Sequence, residues 1–96
     1  MPCENRLISL DEYVLVRFSR KSGKIDTVMT ATGNAMLRLW ALQNCPKSKD
    51  IIIFHKTRGD VVWYLEGQTN DMPKVYDKDQ PNVEEFCPGL LAAVNE

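Results

Sequence analysis

Two apolar runs in this chain run into a glycine turn at the same distance, and each is followed by a second strand-like run. They are Leu15-Val16-Arg17-Phe18 with Gly23, and Ile51-Ile52-Ile53-Phe54 with Gly59. Phe to Gly is five residues in both, and the units lie thirty-six residues apart. β-Branched and aromatic content on either side of a glycine that can adopt positive φ reads as a β-hairpin. Each hairpin precedes a helix-like segment, so the order is hairpin, helix, hairpin, helix.

The first hairpin pairs residues 12–19 with 25–30 across the turn Arg20-Lys21-Ser22-Gly23-Lys24. In the first strand Val14, Val16 and Phe18 fall on one face, and Tyr13, Leu15 and Arg17 on the other. The second hairpin pairs residues 50–56 with 61–65, and its first run is apolar on both faces, the mark of a central strand. Between the hairpins a helix is predicted over residues 34–44, with Thr32 as N-cap and Pro46 beyond its end. Only Arg38 and Gln43 are polar in its interior, so its apolar face is broad enough to need covering on more than one side. Residues 67–81 read as a long loop held by Met72, Val75 and Tyr76. Asn82 and Glu85 form a capping box opening a helix that Pro88-Gly89 either kinks or restarts, the restart running to Val94.

A single α+β domain over residues 1–96 follows: ββαββα, a four-stranded antiparallel sheet with helices on one face. A crossover from the second strand to the third places them parallel with another strand between. This is the topology of a circularly permuted ferredoxin-like fold; a simple meander is the alternative. In the permuted arrangement Arg20, Lys21 and Lys24 at the hairpin tip gather near Lys47 and Lys49.

The apolar runs are too short to span a membrane, and the chain opens without a signal-peptide pattern, so a cytoplasmic location is expected. Cys3, Cys45 and Cys87 lack the spacing of a zinc site and read as reduced thiols, with a Cys45–Cys87 contact open. Charge is uneven: residues 1–58 carry ten Lys/Arg against five Asp/Glu, and residues 59–96 two against eight.

His55 is the sole histidine, with Asp60 and Glu66 in its hairpin, and supplies no catalytic constellation. Asp71, Asp77, Asp79, Glu84 and Glu85 fit no calcium loop. No enzyme, metal or cofactor is expected. Residues 56–64 resemble the basic, glycine and aromatic strand of RNA-recognition motifs, with Asp60 and Val62 where stacking aromatics would stand. Two partner readings remain. A sheet covered on one side needs one apolar face, so Tyr13, Leu15, Arg17, Ile53, His55, Trp63 and Tyr64 form a candidate surface for a protein partner or a homodimer. The second is a nucleic-acid site on Arg20, Lys21, Lys24, Lys47 and Lys49.

Overall fold

The computed structural model describes residues 11–67 and 72–96. Cys3 and Asp71 lie outside them. The elements are β1 (Glu12–Ser19), β2 (Ile25–Thr32), α1 (Ala35–Gln43), β3 (Lys49–His55), β4 (Val61–Glu66), β5 (Lys74–Val75), a 3-10 turn (Val83–Glu85) and α2 (Leu90–Val94). The sheet runs β2-β1-β3-β4-β5 with every neighbour antiparallel.

The α+β class and the antiparallel sheet agree with the sequence reading, and β2 and β3 are parallel with one strand between them. That strand is β1, which excludes the meander, where β2 would pair with β3. A permuted ferredoxin-like sheet would put the fourth strand there instead. The sheet also has five strands, because Lys74 and Val75 pair with Tyr64 and Trp63. Of the three residues expected to pin this connection only Tyr76 packs against the core, while Met72 and Val75 are exposed.

Helices cover both faces, not one. Leu37 and Ala41 of α1 bury Leu15, Ile51, Ile53, Val62 and Trp63. Val83 and Leu90, from the 3-10 turn and α2, bury Val14, Val16, Ile52, Phe54 and Val61 on the other side. The cause is the alternation in β1 and β3: both strands are central and apolar on both faces, so each face needs its own layer. A β-bulge adds to the effect. Ile53 pairs with Trp63 and Phe54 with Val61, so the intervening Val62 joins Trp63 on the α1 side.

Thr32 is the last residue of β2 and caps nothing; Asn34 precedes α1 without a side-chain cap bond. The Asn82–Glu85 capping box forms as expected, and the chain restarts after Pro88 as α2. Gly59 has φ +82°, and a Cβ there would press on Asn82 and Leu91, so the second hairpin turn admits little else. Cys45 and Cys87 are free and pack against opposite faces of the sheet, with burial raising both thiol pKa values. Among the described residues no helix is long and apolar enough to cross a membrane.

A second bulge, at Asp26, builds a clamp across three strands. Arg17 pairs with Thr27 and Phe18 with Ile25, which leaves Asp26 as the extra residue. Its carboxylate meets Lys49 Nζ at 2.7 Å and Arg17 Nε at 2.8 Å. Both bonds favour the ionised form and hold the carboxyl well below the usual carboxylate range. Such a group adds stability that is full above its unfolded pKa of about 4 and is lost as pH falls toward the folded value. Asp26→Asn is therefore expected to flatten the acid side of the stability profile below about pH 4, read from urea midpoints. An unchanged acid slope would remove the clamp from this account.

Candidate functional site

The sheet face expected to meet a partner is interior. Leu15 and Ile53 are 0% exposed, Trp63 3% and His55 5%, all beneath α1 or at its margin. Tyr64 lies on the other face, where its ring meets Phe86 edge-on and its hydroxyl donates to Asp50 Oδ2 at 3.1 Å. Burial and the Asp50 charge push the Tyr64 hydroxyl pKa upward. As a partner surface this set is corrected: α1, folding back from β2, occupies the face.

The polar members have structural tasks. His55 Nδ1 accepts the amides of Thr57 at 3.2 Å and Arg58 at 3.1 Å, which fixes the turn into β4. Tyr13 packs edge-on against the imidazole at 5.4 Å, and Asp11 Oδ1 lies 3.2 Å from Nε2 without an aligned hydrogen bond. The Asp60 carboxylate accepts from Arg58 and not from the imidazole, while the Asp60 carbonyl accepts the His55 backbone N–H at 2.8 Å. Arg17 donates to Asn44 O at 2.8 Å, at the C-terminal end of α1 where a cation is favoured, and its guanidinium lies 5.3 Å over the Trp40 ring. Among the described residues no group of three His, Cys, Asp or Glu side chains is placed to hold a metal ion.

The basic cluster forms, but diluted. Arg20, Lys21 and Lys47 line an open cleft of about 410 Å³ with Ser19 and Ser48. The Arg20 guanidinium is bound to the buried Asp50 carboxylate, and Lys49 to Asp26. Lys21, Lys24 and Lys47 project into solvent. Five formal charges are thus three available ones.

Three of the large apolar side chains that reach solvent lie together on α1. Met36 is 70% exposed, Leu39 49% and Leu42 59%. At 3.6 residues per turn Met36, Leu39, Trp40 and Gln43 share the flank over β2, with Leu37 and Ala41 turned into the core. With Met29, Thr30 and Ala31 they line a groove of about 270 Å³ along the free edge of β2. This flank was missed, though a signal for it existed. The predicted helix has two polar residues in its interior and needs cover on more than one side; the described residues cover one.

The free edge itself can be read from two bonds. Gly33 N–H donates to Asp11 O at 2.9 Å, and Lys56 N–H donates to Glu12 O at 3.0 Å. Antiparallel pairs alternate between bonded and non-bonded, so Tyr13, Leu15 and Arg17 exchange bonds with β2, while Glu12, Val14 and Val16 bond β3. On β2 the same alternation turns the amides and carbonyls of Val28, Thr30 and Thr32 outward. Their side chains are exposed too, because the 3-10 turn and α2 stop short of β2.

Fold and groove together describe a small α/β/α layered domain in which, among the described residues, nothing pairs with the outer edge of β2 beside an apolar helix flank. No family model, curated protein or solved structure matches the chain.

Proposed function

We propose that this chain is a small protein-interaction module that binds through the β2 edge and the adjoining flank of α1. The observation carrying this reading is the pairing of two unfinished surfaces side by side. One is a helix flank with Met36 and Leu39 in water; the other is an eight-residue edge strand without Lys, Pro or a free charge to block pairing. An added strand would satisfy the outward amides and carbonyls, and its alternate side chains would enter the groove, the mode known as β-augmentation. The opposite edge, β5, has two residues and carries Lys74, and is short and charged as protected edges are.

The test is selection of peptides from a random display library on the immobilised chain, followed by affinity measurement. Extended peptides with alternating apolar residues are expected to be enriched. Leu39→Glu is expected to weaken them by about 30-fold or more, the order of a hot-spot loss, with the urea midpoint unchanged. Peptides insensitive to Leu39→Glu would count against this surface.

A nucleic-acid role has one observation in its favour, the solvent-facing Lys21, Lys24 and Lys47 around the hairpin-tip cleft. With three cations available, the slope of log affinity against log salt for single strands is expected to be about −2, against about −3.5 for five. Lys21→Glu with Lys47→Glu would abolish such binding. Absence of measurable single-strand binding at low salt would discard this second reading.

A further inference from the structure

Resting on the reading of the β2–α1 surface as a protein-binding one, we infer that its occupant is a second copy of this chain, with β2 of each copy paired antiparallel about Thr30. Three features make the surface complementary to itself. The first is register. A two-fold axis through Thr30 sets Thr30 against Thr30 of the second copy and Val28 against its Thr32. These are the three residues whose amides and carbonyls point outward, so each exchanges both bonds, and both sheets join into one.

The second feature is the cross-strand chemistry. On the face away from α1 the pairs are Thr with Thr and Val with Thr, types that favour antiparallel neighbours. On the α1 face Met29 falls opposite Ala31 of the second copy. No like charges meet: Asp26, the one charge on β2, is held by Arg17 and Lys49 and falls opposite Asn34 of the second copy.

The third is the helix flank. The axis is perpendicular to the sheet, so both α1 helices stand on the same side. α1 contacts β2 and β3 and crosses over β1 between them, which places the two helices three strand spacings apart, about 14 Å. Direct helix packing needs 8–10 Å, so the space above the paired strands must be filled by long side chains. Met29, Met36, Leu39 and Trp40 of both copies line it, and methionine adapts to irregular gaps. About a dozen residues a side bury on the order of 400 Å² per copy, about 800 Å² in total, below a standard stable interface and of the size of a weak, transient one, so a readily reversible dimer in the micromolar range is expected.

Sedimentation velocity from about 1 to 300 μM tests this. The parent chain is expected to pass from monomer to dimer with a midpoint in that range. Thr30→Pro removes the central outward amide, a change edge strands tolerate, and Thr30→Lys keeps the amide but sets two ammonium groups against each other across the axis. Each is expected to raise the midpoint at least 10-fold with circular dichroism and urea midpoint retained. A chain that stays monomeric at every concentration overturns the inference, and if it still binds selected peptides in a Leu39-dependent way, the interaction reading stands alone. A dimer unaffected by Thr30→Lys also overturns it. A monomer that binds neither itself nor any Leu39-dependent peptide removes both.

Discussion

Leu15→Asp is expected to abolish cooperative folding, whereas Leu39→Asp leaves the fold intact and removes association. Leu15 is fully buried between Met29 and Ile53, its partners on β2 and β3, with α1 packed above. A carboxylate there has no counter-ion and no donor among these neighbours. The cost of an unpaired buried charge is several kcal/mol, and the lost apolar packing adds about 2–3 more. A domain of this length has a total stability of roughly 5–15 kcal/mol, so the substitution uses most or all of it. Leu39 is half exposed, and the same change there should stay within about 1 kcal/mol of the parent. Urea titrations followed by far-UV circular dichroism separate the two. A folded Leu15→Asp chain that had lost only its association would return the binding surface to the sheet face.

Gly67→Ala is the second large effect, and it acts through backbone rather than side chains. A Cβ at this position would sit 2.1 Å from Pro46 O and 2.5 Å from Lys49 O. Both oxygens belong to the segment that carries α1 into β3, and Gly67 N–H donates to Lys49 O at 3.0 Å. Neither neighbour is a flexible side-chain end, so the whole segment has to move and that bond is lost. A cost of about 2–4 kcal/mol is expected, from overpacking and the lost backbone hydrogen bond together. The urea midpoint reads it directly. A shift equivalent to less than about 0.5 kcal/mol would mean the segment yields freely and does not fix the start of β3.

Much of this architecture is legible in the chain. The hairpins, the helix between them and the capping box at Asn82 follow from local pattern, and the return of β3 beside the hairpin tip follows from the crossover between β2 and β3. The placement of the layers does not, because nothing local records which face a segment will occupy. The apolar excess on β1 and β3 was a correct observation with two possible owners. Val83, Leu90 and their neighbours, a sparse apolar set in an acidic segment, cover the far face, and α1 takes the near one. The excess therefore belonged to the core. The true surplus sat on the helix, where Met36, Leu39 and Leu42 lie among strong helix formers and read as core on periodicity alone. The lysine and arginine cluster shows the converse. Position along the chain brought the cations together, but Asp26 and Asp50, each on a different strand, neutralise part of it only once the sheet is assembled.

Backbone amide exchange, followed residue by residue by NMR at about 20 μM and about 1 mM, reads the pairing of β2 with a second copy. The Val28, Thr30 and Thr32 amides face the open edge, while those of Met29 and Ala31 are bonded to β1. Exchange at the first three is expected to be faster in dilute solution and to slow about 3- to 7-fold when concentrated, as the monomer fraction falls, with Met29 and Ala31 protected throughout. Fast exchange at Val28, Thr30 and Thr32 at both concentrations, with new protection appearing around the hairpin tip at residues 19–24 instead, would contradict it.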